Sequence, residues 1–368
     1  MLLIFRLCGV TGALLTSCII SASAPTANNT VMFAAKYGRD TGLSSQSGCR
    51  NHFPLHSDDA LDDRFIPNHI TGIQINEKGS HTMEQLPKIK TILSCAGIPI
   101  FGCCPFEPLR PQILECRAKE RLPADAKSIF VALFPYAMEE AAYQGGNLSR
   151  YAAVGDYHEI VPQYLKRAVS ALEQAFPEEA FVPFTDNSPI PEVRAAALAG
   201  LGRIGQNGLL IHERYGSWVF IGEIVTTLPI DAPPHQIRPC IGCGRCISAC
   251  PTGALTGKGL DRSKCMSALT QRKGSLSEQE AALIRRSGCA WGCDICQTTC
   301  PMNAQAAIRP LTEFAHTFHA SAVENGPLEG MAYAWRGRKV IERNLKLLSA
   351  PLNGRSQSES LAESGDPR

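Results

Sequence analysis

Two cysteine runs, each closed by a proline, restrict what this chain can fold into more than any other feature. The first has the spacing C-x2-C-x2-C-x3-C-P and comprises Cys240, Cys243, Cys246, Cys250 and Pro251; the second comprises Cys293, Cys296, Cys300 and Pro301. The first spacing is typical of cubane [4Fe-4S] ligands, and the fourth cysteine of such a run binds the neighbouring cluster. The pattern therefore predicts a two-cluster site.

Two cubanes need eight thiolates, and the two runs supply seven. The preferred eighth ligand is Cys265, which lies between the runs; Cys289, only four residues before Cys293, is the alternative. The resulting assignment gives one cluster to Cys240, Cys243, Cys246 and Cys300 and the other to Cys250, Cys265, Cys293 and Cys296.

Zinc and disulfides are the competing interpretations of the cysteines. Zinc sites pair two C-x-x-C units and do not use three cysteines followed by an x3-C-P step. A disulfide framework is typical of small domains in oxidising compartments. Iron and sulfur fit the spacing better than either.

The composition is that of a folded protein with room for a substantial core. The chain has 368 residues, of which 44% are hydrophobic and 19% charged, and this length predicts two domains. Its 36 basic and 34 acidic residues leave a net charge of +2. This balance excludes a strongly basic nucleic-acid coat but allows a local basic patch.

Residues 1–82 differ from the rest of the chain. An apolar stretch near Arg6 ends at Ala22–Ala24 like a secretory signal, and the polar sequence that follows shows no hydrophobic periodicity. The apolar stretch is too short and broken for a membrane span. Export would deliver the chain without clusters, so we prefer a start at Met83, with a disordered extension and a working signal peptide as the alternatives.

From Met83 onward the pattern predicts a mixed α/β (α/β or α+β) domain over residues 83–232. Strands are expected over Ser128–Tyr136 and Ser217–Leu228, and helices over Tyr157–Phe176 and Pro191–Ala199. After this domain we expect a ferredoxin-like two-cluster domain (233–310), a C-terminal helical segment (311–350) and a frayed tail (351–368).

A glycine motif after the alanine-rich helix does not indicate dinucleotide binding. Gly200, Gly202 and Gly205 satisfy G-x-G-x-x-G, but that fingerprint must follow a strand and open a helix. Here a helical stretch precedes it. A glycine-lined loop that allows close approach of a flat cofactor or of backbone is the preferred interpretation.

Several motifs in order resemble the epoxyqueuosine reductase family. They are YAAVGDYHEIV (151–161), PFTDNSPIPEVRAAALAGLGRIGQNGLLI (183–211), GSWVFIGEI (216–224) and GCDICQTTCPMN (292–303). The resemblance covers about residues 119–303. It implies reduction of epoxyqueuosine to queuosine in the tRNA anticodon loop by a cytoplasmic, monomeric, cobalamin-dependent enzyme.

The resemblance also implies cofactors and partners. The two [4Fe-4S] clusters would pass single electrons to cobalamin, in a domain (83–232) that holds cobalamin and substrate. The partners would be the tRNA anticodon stem-loop and a low-potential electron donor such as a flavodoxin or ferredoxin, with no membrane.

Two sets of site residues follow from the resemblance. Asp186 matches the family's general acid, and a carboxyl kept protonated by burial beside an apolar corrin could donate to the opening epoxide; the alternative is a turn or helix cap. The family's Y-x-x-G-x-D-Y-H segment places four residues near cobalamin or substrate: Tyr151, Asp156, Tyr157 and His158. Axial ligation of cobalt by His158 is not expected.

The sequence departs from the family after the alanine-rich helix. Arg203 stands where members carry an aromatic residue and Gln206 where they carry a lysine. Arg203 and Gln206 are retained as cofactor-binding candidates, with Arg203 replacing the lysine. A paralogous branch with another substrate stays open.

The C-terminal segment carries a weaker signal for RNA. Four basic residues fall on one helical face, where they could contact phosphates: Arg336, Lys339, Arg343 and Lys346. Five apolar residues can pack behind that face: Met331, Trp335, Ile341, Leu345 and Leu348. A solvated helix face is the alternative. Two other functions also remain open, a reductive dehalogenase-like corrinoid enzyme and a ferredoxin-like electron carrier.

Overall fold

A computed structural model of the protein describes residues 80–349. The predicted tail and almost all of the predicted extension therefore lie outside the described residues. The first helix begins at Ser80, three residues before Met83. Within residues 80–349, no helix combines the length and apolar character needed to cross a bilayer.

Eight strands are present in the described residues. They are β1 (Ile100–Pro105), β2 (Ser128–Pro135), β3 (Phe181–Thr185), β4 (Arg203–Ile204), β5 (Leu210–Ile211), β6 (Val219–Thr226), β7 (Leu255–Thr256) and β8 (Gly259–Leu260). The α-helices are α1 (Ser80–Cys95), α2 (Tyr157–Ala175), α3 (Glu192–Leu198), α4 (Arg245–Ser248), α5 (Met266–Gln271), α6 (Glu278–Ser287), α7 (Ile295–Thr298), α8 (Thr312–His316) and α9 (Arg338–Ser349).

Strands β1, β2, β6 and β3 form one sheet in that order, and every pairing is antiparallel. The fold is therefore α+β, one of the two mixed classes that the sequence suggests. The predicted strands and helices of the first domain are confirmed, with shifts of no more than two residues at their ends.

Strand β2 is buried on both faces, which explains its nearly continuous apolar sequence. Phe130, Ala132 and Phe134 pack in the core that contains α1 and α2. Ile129, Val131 and Leu133 pack in the opposite core, against α3. The sheet thus lies between two apolar layers, and its ends are the places where polar side chains can meet.

The glycine loop between α3 and β5 follows a helix, as the sequence predicts, and it allows backbone to approach backbone. Gly200 has φ +77°, which favours glycine. A Cβ atom added to Gly202 would lie 2.6 Å from the Ile211 carbonyl oxygen. The loop is a close-packed corner beside the cysteine segment, because Cys240 N donates to the Ile204 carbonyl at 3.0 Å.

Candidate active site

A cavity of about 220 Å³ opens at the end of the sheet where β2 and β3 end and β6 begins. Its wall combines aromatic, aliphatic and ionisable side chains: Tyr136, Tyr151, Tyr157, Asp186, Glu192, Val193, Leu209, Leu210, Ser217, Val219, Phe220, Ile221 and Gln297. A mostly apolar cavity with a few convergent polar groups is the usual form of a small-molecule site.

One wall of the cavity is a stack of aromatic rings. Phe220 lies between Tyr157 and Tyr136, with ring centroids 4.3 Å apart in both pairs. The Tyr157 and Phe220 rings are nearly parallel, at 8°. The stack presents a broad apolar surface that suits a flat ligand.

Asp156 begins helix α2 and orients the next histidine. Its carboxylate accepts from the backbone N–H of His158 at 3.0 Å, which caps the helix. The same Oδ1 lies 2.6 Å from Nδ1 of His158. Asp156 does not line the cavity but fixes the imidazole that reaches toward it.

His158 joins this cap to Asp186. Nε2 of His158 lies 3.1 Å from Oδ2 of Asp186. Partial burial would lower the pKa of His158, but the hydrogen bonds to Asp156 and Asp186 outweigh it and raise the pKa to about 9. At neutral pH the imidazole is therefore charged and holds the proton of the pair.

Asp186 differs from the expectation that burial keeps it protonated. Its side chain is 54% exposed, and the hydrogen bond from His158 outweighs desolvation and lowers the pKa of the carboxyl. The alternative role as a cap of α3 does not apply, because Pro191 occupies that position and the Asp186 side chain bonds to His158. Asp186 also has φ +57°, an uncommon conformation for a non-glycine residue.

A buried carboxyl supports the loop that carries Asp186. Ser188 Oγ donates to Oε2 of Glu223 at 2.5 Å and accepts from Ile190 N at 3.1 Å. Glu223 lies on the central strand β6, and burial raises its pKa well above the usual range. This neutral carboxyl stabilises the turn between β3 and α3 from within the core.

Glu192 is a cavity residue that sequence reasoning missed. It is the first residue of α3, lines the cavity with Asp186 and forms no hydrogen bond or ion pair with any residue of the described part of the chain. Desolvation, and then the nearby Asp186 charge, raise its pKa to about 7. The available signal was an acidic residue opening an alanine-rich helix six positions after Asp186.

Tyr151 connects the cavity to the cysteine segment. It lines the cavity, and its hydroxyl accepts from Nε2 of Gln271 at 3.0 Å. Gln271 ends helix α5, which begins immediately after Cys265. Of the four residues expected near the cofactor, Tyr151 and Tyr157 line the cavity, whereas Asp156 and His158 lie behind Asp186.

The first expected cysteine group surrounds one small depression. Its lining includes all four members: Cys240, Cys243, Cys246 and Cys300. Cys243 is exposed, and its neighbour Ile241 is 62% exposed. One side of this group, at Cys243, therefore lies at the surface of the protein.

The second group contains two thiols whose pKa values are strongly affected by burial, Cys293 and Cys296. The pKa of the Cys293 thiol is raised to about 11, chiefly by burial and with smaller contributions from Asp294, Cys265 and Cys250. Burial likewise raises the pKa of Cys296 to about 12. Cys289 has a backbone partner, because its thiol donates to the Trp291 carbonyl oxygen at 3.1 Å.

The donor chemistry of both groups fits iron and sulfur. Among residues 80–349, no three Cys, His, Asp or Glu side chains converge on a position for a single metal ion. A cubane instead presents its irons at separate corners, so four cysteines can surround it without converging. The structure brings together the two sets that the sequence assigned, and their coordination of iron stays a prediction.

Arg203 and Gln206 lie away from the cavity wall. Gln206 lines the depression of the first cysteine group, and Nη1 of Arg203 donates to the Pro239 carbonyl at 3.3 Å. Asn207, which the sequence did not single out, lines the same depression, and its Oδ1 accepts from Leu209 N at 3.3 Å. The glycine loop thus lies against the cysteines.

A buried hydrogen-bond network joins the cavity to the second cysteine run. Ser217 Oγ donates to Oε1 of Gln297 at 2.9 Å and accepts from Nδ2 of Asn303 at 2.8 Å. Gln297 lines the cavity and lies between Cys296 and Cys300 in the sequence. The cavity and the cysteine segment are therefore parts of one structure.

The C-terminal basic row differs from its prediction. Helix α9 begins at Arg338, so Arg336 lies in the preceding 3-10 turn. Arg343 donates to the carbonyls of Arg272 and Gly274 at 2.8 and 2.7 Å. The predicted packing is confirmed for Ile341, which lies in a core cluster, and for Met331, Leu345 and Leu348, which pack against it. It is wrong for Trp335, which is 55% exposed, with the Arg336 guanidinium 3.8 Å from its ring centroid.

Two family models match the sequence. One, described as epoxyqueuosine reductase QueG, matches residues 117–187. The other, described as a 4Fe-4S double cluster binding domain, matches residues 239–303 and includes all eight assigned cysteines.

Known proteins give the same indication. An epoxyqueuosine reductase of Leadbetterella byssophila is 33% identical over 228 residues, which is 56% of this chain and 75% of that protein. One of Lactococcus garvieae is 33% identical over 236 residues, which is 59% of this chain and 65% of that protein. This chain thus spans less than two thirds of the Lactococcus protein.

A solved epoxyqueuosine reductase with a tRNA-Tyr epoxyqueuosine-modified stem loop has a similar fold. The TM-score is 0.62 at 23% identity, covering 73% of this chain and 81% of that one.

Proposed function

Because the chain belongs to the epoxyqueuosine reductase family, we propose that it reduces epoxyqueuosine to queuosine in the anticodon loop of tRNA. One observation carries the proposal: Asp186 and Gln297 line the same cavity. Asp186 brings an acid-base pair to it, and Gln297 brings the segment between two predicted cluster ligands. Protons and electrons can therefore reach one bound substrate.

The reaction needs both protons and electrons. Removing an epoxide oxygen consumes two electrons and two protons and yields an alkene and water. Cubane clusters transfer electrons singly, and cobalamin, when bound, would supply the two-electron chemistry at the epoxide. The residues of this chain would bind the substrate, exclude water and supply protons.

The wall of the cavity fits part of a corrinoid. The stacked Tyr157, Phe220 and Tyr136 rings offer an apolar surface for a flat macrocycle. At about 220 Å³ the cavity is smaller than common ligand pockets of about 300–1,000 Å³. Cobalamin would therefore also need surface beside the cavity. Arg203 and Gln206 are proposed as neighbours of the first cluster instead.

We assign the electron entry to the first cysteine group. Exposed Cys243 and Ile241 give an external carrier access to that cluster. The second group is connected to the cavity, because Gln271 of the helix that follows Cys265 donates to Tyr151. The proposed donor is a flavodoxin or ferredoxin. We further propose that the enzyme is monomeric and cytoplasmic, the compartment of its tRNA substrate.

The tRNA is proposed to approach along the C-terminal segment. Asp156 N donates to the Gly330 carbonyl at 2.9 Å, and Gly155 pairs with Met331. The exposed Trp335 and the half-buried Arg336 follow this contact within six residues. An exposed aromatic ring beside a guanidinium is a surface on which an unpaired base can stack.

The test of the function is anaerobic conversion of an epoxyqueuosine-containing anticodon stem-loop with added cobalamin and a low-potential reductant. Mass spectrometry should detect loss of one oxygen. Protein with both clusters and bound cobalamin that leaves the stem-loop unchanged would reject this substrate and favour the paralogous branch. Absence of cobalamin binding, with clusters intact, would favour an electron carrier.

A further inference from the structure

The proton requirement of the reaction exceeds what one donor supplies. Breaking the first C–O bond of an epoxide leaves an oxygen that must take up one proton. Breaking the second releases that oxygen as water and consumes another proton, while the two electrons from the low-potential reductant end in the new C=C bond. A site that excludes bulk water therefore needs two protonated groups within reach.

The pair of His158 and Asp186 accounts for one of these protons. Their 3.1 Å contact holds a single proton between the imidazole and the carboxylate. The other nitrogen of His158 is held by Asp156 at 2.6 Å, whose carboxylate also caps α2. The proton that Asp156, His158 and Asp186 share can be delivered through Asp186, which faces the cavity.

We propose that Glu192 is the second proton donor, the group that converts the departing epoxide oxygen into water. It lines the same cavity as Asp186, and in the described part of the chain it has no hydrogen-bonding or ion-pairing partner. Its carboxyl is thus available to a bound substrate. This inference rests on the proposed function.

The surroundings of Glu192 favour the neutral acid. The groups that face it are Asp186 after β3, Tyr157 at the start of α2, and Glu223 on β6. None of these three is a cation. Desolvation, and then the charge of Asp186, raise the pKa of Glu192 to about 7. The positive charge of His158 is paired with the carboxylates of Asp186 and Asp156.

Glu223 is the other raised carboxyl nearby, and its geometry gives it a different role. It is 1% exposed and bonded to Ser188, and it is absent from the cavity wall. Glu223 is therefore a positioning residue for the Asp186 loop. Glu192 is the carboxyl whose position allows direct proton transfer.

The test compares holoenzyme of the wild type with Glu192→Gln, and uses Glu159→Gln as the matched control. Glu159 is exposed in the first turn of α2, beside His158. An amide cannot donate a carboxyl proton, so Glu192→Gln should lower turnover by about 100-fold, the usual effect of losing a general acid. Iron content, cobalamin binding and stem-loop affinity should not change, and Glu192→Asp should recover part of the rate.

An infrared measurement gives a readout independent of turnover. The difference spectrum between wild type and Glu192→Gln should contain a protonated-carboxyl band that disappears as pH rises through about 7. Absence of that band overturns the inference whatever the activity. If the wild type is active and Glu192→Gln turns over equally fast, the inference is also overturned. If the wild type is inactive, the proposed function is rejected, and the infrared band alone decides whether Glu192 is protonated.

Discussion

Nε2 of His158 lies 3.1 Å from Oδ2 of Asp186, although 28 residues separate them in the sequence. The contact exists because α2 begins, and β3 ends, at the same end of the sheet. Asp156 holds the other ring nitrogen at 2.6 Å, so the imidazole has a fixed orientation. The acid-base group of the site is therefore a chain of three side chains rather than one carboxyl.

The charge of His158 should depend on Asp186. In the wild type we expect NMR titration to give a pKa of about 9 for His158. Asp186→Asn removes one of its two anionic partners and should lower this pKa by about one unit or more. His212, whose pKa is lowered by burial away from this pair, is the internal control and should not shift. An unchanged His158 titration would contradict the contact.

The same contact should give a defined pH range of stability. A raised histidine pKa contributes stability that is fully present below the unfolded value of about 6.5 and is lost as pH rises through about 9. The lowered pKa of Asp186 acts at the other end, where stability is lost as pH falls through it. Denaturant unfolding of the wild type should weaken between pH 7 and 10 more than that of Asp186→Asn.

Asp186 should be needed for chemistry and not for cofactor binding. Asp186→Asn should retain iron, sulfide and cobalamin yet turn over about 100-fold more slowly, because an amide cannot pass on the proton of the pair. Asp125→Asn, at an exposed loop position, is the matched control. Near-normal turnover of Asp186→Asn would remove Asp186 from the proton path.

Cys265 and Cys289 should differ in their effect on iron. The chain should bind about eight iron and eight sulfide. Cys265→Ser should lose about half of the iron, because Cys265 lies near Cys293 in the second group. Cys289→Ser should keep it all, since that thiol donates to a backbone carbonyl. Equal iron loss in the two variants would overturn the ligand assignment.

Trp335 should contribute to stem-loop binding. Loss of a base-stacking ring costs about 1–3 kcal/mol, so Trp335→Ala should weaken anticodon stem-loop affinity about 10-fold. Trp335→Phe should retain most of it. Leu114→Ala, at another exposed apolar residue (51% exposed), is the control for general surface effects. Equal affinities of Trp335→Ala and wild type would place the RNA elsewhere.

Local sequence patterns were enough to predict β2, β6, α2 and α3 of the first domain and the two cysteine runs. The apolar run of β2 and the 3.6-residue spacing of α2 are properties of adjacent residues, so they were visible without coordinates. The cysteine spacing was equally local for seven of the eight assigned ligands, and the four of the first group surround one depression. The choice of Cys265 as the eighth ligand stays a prediction. The basic row at the C terminus was less well predicted, because helix periodicity does not show that Arg343 is bound to carbonyls of another segment.

The sequence by itself determined which chemical groups this protein has and where the two central strands β2 and β6 and the helices α2 and α3 form. Only the tertiary structure decided their electrostatic state. Asp186 is ionised and Glu192 is near neutrality because β3, α2 and α3 meet at one end of an antiparallel sheet. A pKa depends on burial and on charges distant in sequence. No local pattern could therefore establish that one proton of the site lies on His158 and the other on Glu192.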